Sequence, residues 1–133
     1  YALRLANVYG SGDKNRVIPI FLEKAQKNET LELYGGDQVL DFVWIEDTVE
    51  AFKQIIEEGA EHRKINIGSG EGTSVRELAH LIKDITSSES EIVEKEERGF
   101  DTQKFISDLE KVSSIIEKPD SLVEGLKKMR NTN

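Results

Sequence analysis

The chain has 133 residues, enough for one domain with a core of its own. Hydrophobic residues make up 37% and charged residues 33%, the balance of a globular protein with a heavily solvated surface. A formal charge of -8 disfavours nucleic-acid backbones and anionic membranes as general partners, and the lack of cysteine excludes disulfides, thiolate chemistry and Cys-based zinc sites.

Tyr1 to Tyr9 alternates loosely and predicts a strand, ended by Gly10-Ser11-Gly12-Asp13. A parallel partner for a strand this early needs a crossover before it, so the natural N-terminus is expected upstream of Tyr1. Val17 to Lys27 predicts a helix with Val17, Phe21, Leu22 and Ala25 on one face, and Pro19 fits only its first turn. Val17 to Leu22 is also the longest apolar stretch, far too short to span a bilayer. Together with the absence of cysteine this fits a cytoplasmic setting.

Leu31 to Tyr34 predicts a short strand, followed by a turn at Gly35-Gly36-Asp37. Asp41 to Trp44 is extended again. From Glu46 the period changes, and Ile45, Val49, Phe52 and Ile56 form the apolar stripe of a helix. Glu46 and Asp47 suit its positive N-terminal end and Gly59 its stop. Ile65-Asn66-Ile67 is a strand broken by Gly68-Ser69-Gly70.

Ser74-Val75-Arg76-Glu77 is a capping box, with Leu78, Leu81, Ile82 and Ile85 as the stripe behind it. Thr86 to Ser90 is a polar loop. Glu91 to Glu94 and Lys104 to Ser107 predict two further strands, and Asp108 can cap a helix running through Ile116. Ser121 and Glu124 repeat the capping-box spacing before a last amphipathic helix, Leu122 to Met129. The alternation of strands and helices predicts an α/β class, with no repeat and no linker dividing the chain.

Four acids, Asp37, Asp41, Glu46 and Asp47, cluster in sequence. They read either as a metal or acid–base site, or as a turn residue, a strand-edge residue and two helix-start acids; the local roles explain each one. His62 and His80 have no ligand spacing and read as surface residues. Tyr1 does not open a Tyr-x-x-x-Lys motif, because position 5 is Leu. Gly68-Ser69-Gly70-Glu71-Gly72 reads as a phosphate cradle or as a plain strand-to-helix turn. The last glycine of a Gly-x-Gly-x-x-Gly loop is missing, since Thr73 and Ser74 stand there.

Five blocks in order carry a resemblance. They are Leu3-Arg4-Leu5-Ala6-Asn7-Val8-Tyr9-Gly10; Val17-Ile18-Pro19-x-Phe21; Leu33-Tyr34-Gly35-Gly36-Asp37-Gln38 with Asp41-Phe42-Val43-Trp44-Ile45-x-Asp47; Ile65-Asn66-Ile67-Gly68-Ser69-Gly70 with Ser74-x-x-Glu77-Leu78; and Arg98-x-x-Asp101 with Asp108 and Lys111. This set resembles the C-terminal part of the NAD-dependent nucleotide-sugar epimerases and dehydratases, the extended short-chain dehydrogenases similar to UDP-glucose 4-epimerase. It covers nearly the whole chain.

The resemblance implies the following. Residues 1–10 and 41–68 would be late parallel Rossmann strands and a helix, and residues 11–40 and 69–133 a small mixed α/β substrate lobe. The NAD-binding domain, with its catalytic Ser and Tyr-x-x-x-Lys, would lie in an absent N-terminal half. The chain would then be the substrate-binding half of the enzyme, inert alone, with no catalytic residue and no metal ligand of its own. The implied substrate contacts for a nucleotide-diphosphate sugar are Asn7, Val17 through its backbone N–H, Leu33, Tyr34, Arg98, Asp101 and Phe105. The backbone of Leu5 and Ala6 would touch the NAD of the full-length parent; none is expected on this chain alone. A parental homodimer is possible within the family, and a non-catalytic sugar-nucleotide-binding or regulatory module is the alternative. Leu40 stands where many relatives carry a phosphate-binding arginine, and leucine cannot replace that fork.

Overall fold

A computed structural model describes residues 1–99, 102–111 and 118–132. The elements run β1 (Ala2–Leu5), β2 (Asn7–Tyr9), α1 (Val17–Gln26), β3 (Leu31–Tyr34), β4 (Val39–Trp44), α2 (Ile45–Glu58), β5 (Lys64–Ile67), β6 (Gly72–Ser74), α3 (Val75–Thr86), β7 (Ile92–Lys95), β8 (Lys104–Phe105) and α4 (Leu122–Thr132). The class is α/β, as the alternation of elements implies.

β1 lies parallel to β5, with Ala2 opposite Lys64 and Leu5 opposite Ile67. Helix α2 falls between them in sequence, as the family reading requires. The expected single strand from Tyr1 to Tyr9 is instead two strands. At Ala6 the chain changes partner: the Ala6 N–H still donates to the Ile67 carbonyl at 2.8 Å, and the Val8 N–H turns back to the Ala6 carbonyl at 3.0 Å. β2 then runs parallel to β4, Asn7 opposite Phe42 and Tyr9 opposite Trp44. This break carries Asn7 away from the β1–β5 pair and sets it beside β4.

β4 is the hub of the second sheet. Its first half pairs antiparallel with β6 and parallel with β8. β3 pairs with β7, Leu31 opposite Ile92. Gly72–Ser74, expected as part of a loop, is therefore a short strand that leads straight into the capping box of α3.

The helices start where the sequence says they should. Pro19 occupies the first turn of α1, where its missing N–H costs no intrahelical bond. Ser74 Oγ accepts the Glu77 N–H at 3.1 Å and the Glu77 carboxylate accepts the Ser74 N–H at 2.8 Å. Ser121 and Glu124 repeat the arrangement at α4.

The core falls into two parts. The larger joins Phe21, Leu22, Leu31, Leu33, Trp44, Leu78, Ile82, Leu126 and Met129, so α1, α3 and α4 cover the sheets around β3 and β4. Tyr9 and Trp44 pack ring against ring, centroids 5.5 Å apart, and Gly125 lets α4 close down on the Tyr9 ring. The smaller part joins Ala51, Ile55, Ile65 and Ile67 between α2 and β5. Here the expected stripe holds only at Phe52, which packs against this cluster: α2 buries Thr48, Ala51 and Ile55, while Ile45, Val49 and Ile56 are exposed. Small residues at 48 and 51 let the helix approach the sheet closely, and bulk there would hold it off.

The strand expected at Lys104 to Ser107 stops at Phe105. Asp108 Oδ1 accepts the Glu110 N–H at 3.0 Å in a turn, and most of the helix expected after it lies outside the described residues.

Candidate functional site

A cavity of about 440 Å³ opens between α1, β3, β4 and the segment around Arg98. Its volume falls in the range of about 300–1,000 Å³ usual for small-molecule sites. Asn7, Asn15, Val17, Phe21, Lys24, Glu32, Tyr34, Gln38, Leu40, Val75, Arg98 and Thr102 are among the residues on its wall.

Local structure explains who faces it. On β3 the side chains alternate, so Glu32 and Tyr34 reach the cavity while Leu33 between them is fully buried in the core. The turn after β3 has Gly35 and Gly36 at φ 87° and 88°, a region that side chains with a Cβ avoid. Gln38 locks that turn: its Nε2 donates to the Tyr34 carbonyl at 2.6 Å and its Oε1 accepts the Gly36 N–H at 2.9 Å. Tyr34 is thereby held at the cavity wall, with the Arg98 guanidinium over its ring at 3.9 Å from the centroid. This pair offers a flat face and a cation together.

Asn7 is held by its Nδ2, which donates to the Asp41 carbonyl at 3.1 Å; this leaves its Oδ1 for other partners. Lys24 lies 4.0 Å from Glu32, a half-exposed pair worth little by itself. A smaller hollow of about 220 Å³ adjoins the first and shares Asn7, Val17 and Leu40 with it. Arg16 and Asp13 lie on its wall, 3.1 Å apart.

Of the residues expected at a substrate site, Asn7, Val17, Tyr34 and Arg98 thus share one cavity, and Leu40 lies on its wall between the two hollows. Phe105 is exposed on β8 opposite Leu40 and does not line the cavity. Leu33 is fully buried in the core and does not line the cavity. Asp101 lies outside the described residues. Leu5 ends β1 half-exposed, and both backbone groups of Ala6 are already bonded.

The four clustered acids do not meet at one point, and no group of three metal-ligating side chains exists among the described residues. Asp37 pairs with Arg76 at 2.9 Å. Glu46 accepts from the Trp44 indole N–H at 3.1 Å. Asp47 accepts the Asp120 N–H at 3.0 Å, yet its burial raises its pKa above the usual carboxylate value, with the negative charges of Asp120 and Glu46 acting in the same direction.

Asp41 departs from its expected place at a strand edge. It is fully buried, and it accepts the Ser69 N–H at 2.8 Å, the Ser69 hydroxyl at 2.6 Å, the Gly70 N–H at 3.1 Å and the Ser107 N–H at 3.0 Å. A Cβ at Gly68 would stand 2.5 Å from Asp41 Oδ2. The Gly68–Gly70 turn is therefore wrapped around a protein carboxylate, and the phosphate-cradle reading of those glycines fails because the anion they hold is Asp41. Asn15, Gln38 and Thr102 are cavity residues that sequence reasoning missed; Gln38 alone carried a signal, its place in the Gly35–Gln38 block.

Known proteins resemble this chain along most of its length. The sequence model of the NAD dependent epimerase/dehydratase family matches residues 1–68, just over half of the chain. The chain belongs to that family. It is 32% identical over 133 residues to the dTDP-4-dehydro-6-deoxy-D-allose reductase of a Streptomyces species, covering 95% of this chain and 40% of that protein. It is 37% identical over 93 residues to the CDP-abequose synthase of Salmonella muenchen, covering 68% of this chain and 32% of the relative. The crystal structure of UDP-glucose 4-epimerase with UDP-glucose from Thermotoga maritima superposes with a TM-score of 0.88 at 36% identity, over 97% of this chain and 44% of that one. The chain thus spans less than half the length of these members of the family. No helix among the described residues is long and apolar enough to cross a membrane.

Proposed function

We propose that this chain is the substrate-binding part of a NAD-dependent nucleotide-sugar epimerase or dehydratase. The observation that carries the reading is the meeting of Asn7, Val17, Tyr34 and Arg98 around one cavity of ligand size. A planar base fits the Tyr34 ring, a phosphate fits the Arg98 guanidinium, and Val17, the first residue of α1 and so at the positive end of that helix, lines the same cavity. The relatives named above act on dTDP, CDP and UDP sugars, so the class of ligand is a nucleoside-diphosphate sugar and the base is open.

In this reading β1, α2 and β5 belong to the Rossmann part, while β2 and β4, which form the second sheet with β6 and β8, join the lobe that closes on the sugar nucleotide. The residues present do not supply the main grip on NAD. No Gly-x-Gly-x-x-Gly turn occurs in the sequence, and at Ala6 the N–H is already bonded to the Ile67 carbonyl, which leaves only carbonyl acceptance for a cofactor there. The dinucleotide and the Ser/Tyr/Lys chemistry are therefore assigned to another part of the enzyme. What these residues contribute is binding and orientation, which hold the sugar in place for reaction.

Calorimetric titration of the full-length protein with UDP-, dTDP- and CDP-glucose tests this. At least one is expected to bind, and Arg98→Ala is expected to weaken it by about 1.5–3 kcal/mol, the scale of a charged hydrogen bond. Binding that ignores both Arg98→Ala and Tyr34→Ala refutes the assignment of this cavity.

A further inference from the structure

We infer that the Asp13–Arg16 pair reads the hydroxyls of the sugar, which places the sugar end of the ligand in the smaller hollow; this rests on the nucleotide-sugar reading. The hollow, about 220 Å³, is below the size of a site for a whole drug-sized ligand. It shares Asn7, Val17 and Leu40 with the main cavity, so it is an annexe that takes one end of a longer molecule. Tyr34 and Arg98 lie only on the wall of the larger cavity, which suits the base and its phosphates.

The chemistry of the annexe differs from that of the main cavity. Its charged wall residues among those described are Arg16 and Asp13, which cancel. They are 3.1 Å apart, with Arg16 55% and Asp13 21% exposed at the side chain. A phosphate there would meet a carboxylate beside the guanidinium. A neutral sugar would meet no such repulsion: its hydroxyls can donate to Asp13 and to Asn7 Oδ1 and accept from Arg16. The Tyr9 hydroxyl, also at this wall, is turned to the Leu122 carbonyl at 3.4 Å. Leu40 and Phe42 add an apolar floor on which the carbon face of a sugar ring can rest.

The test uses the full-length protein. Wild type is titrated with UDP, dTDP and CDP and with the glucose derivative of each, and the best pair is taken to Arg16→Gln, Asp13→Asn and the double variant. The glucose derivative is expected to bind wild type more tightly than the bare diphosphate. Each single variant is expected to hold the diphosphate within about twofold and to lose about tenfold for the glucose derivative, the scale of one charged hydrogen bond. Thermal melts are expected to match wild type, because the pair is partly solvated. An equal loss for diphosphate and glucose derivative overturns the inference and makes Arg16 a phosphate ligand. No loss for either, or no gain from glucose in wild type, overturns it as well. Wild type binding none of the six removes the nucleotide-sugar reading and this inference together; binding of the diphosphate alone removes only the inference.

Discussion

Asp41→Asn probes the contact that ties the second sheet to the turn after β5. The wild-type carboxylate is fully buried and takes four donors, two on each oxygen: Ser69 N–H and Ser69 hydroxyl on Oδ1, Gly70 N–H and Ser107 N–H on Oδ2. An amide keeps one oxygen and replaces the other by an NH₂ that faces donors. The milder orientation puts the NH₂ at the Ser69 side, because the hydroxyl can turn to accept and still donate to the Glu71 carbonyl. One backbone N–H is then left without an acceptor, and the remaining bonds lose their charge assistance. An orphaned buried donor costs about 1–3 kcal/mol, and loss of charge adds about 1 kcal/mol, so roughly 2–4 kcal/mol is expected. For a chain of this size each kcal/mol moves Tm by about 4 °C, so the midpoint is expected to fall by roughly 8–16 °C. Differential scanning calorimetry of the purified chain reads this directly. A fall of less than about 3 °C would show that Asp41 is not the anchor its four bonds suggest.

Three further outcomes are expected. Leu40→Arg in the full-length protein adds a phosphate-reaching fork to the shared wall of the two hollows, so nucleotide-diphosphate binding tightens and becomes more salt-sensitive; flat or weaker binding at low salt in a two-salt titration contradicts the diphosphate pose. Gly125→Ala is destabilising by about 1–3 kcal/mol despite the better helix propensity of alanine, because its Cβ would meet the Tyr9 ring, and a melt at or above that of wild type refutes the clash. Asp47→Asn raises Tm at neutral pH: a carboxylate with a raised folded pKa is destabilising once ionised, so the advantage shrinks as pH falls through the folded value and is gone below the ordinary value of 3.8. A gain that persists at pH 3 contradicts that cause.

Local signals were legible in the sequence, and long-range choices were less so. The capping boxes at Ser74 and Ser121 and the proline at 19 mark helix starts because the groups involved lie within one turn. The α2 face was misread for a different reason. Ile45, Val49 and Ile56 have the right period, but the face of α2 that is buried carries Thr48, Ala51 and Ile55, two of them small enough to let the backbone come close to its neighbours. The break at Ala6 has no sequence signal at all: it follows from β1 and β2 pairing with different strands. Asp41 reads as a strand-edge acid until its partners at 69, 70 and 107 are known, and those contacts close only in the fold. Asn7, Tyr34 and Arg98 were picked out by block resemblance, and alternation along β3 then separates Tyr34 from Leu33.

The most direct measurement is a crystal structure of the full-length protein with the nucleotide-diphosphate sugar it binds best. The account predicts the base over Tyr34, a phosphate at Arg98 and the ligand enclosed by Asn7 and the start of α1. A ligand bound elsewhere, with this cavity filled only by solvent, contradicts it.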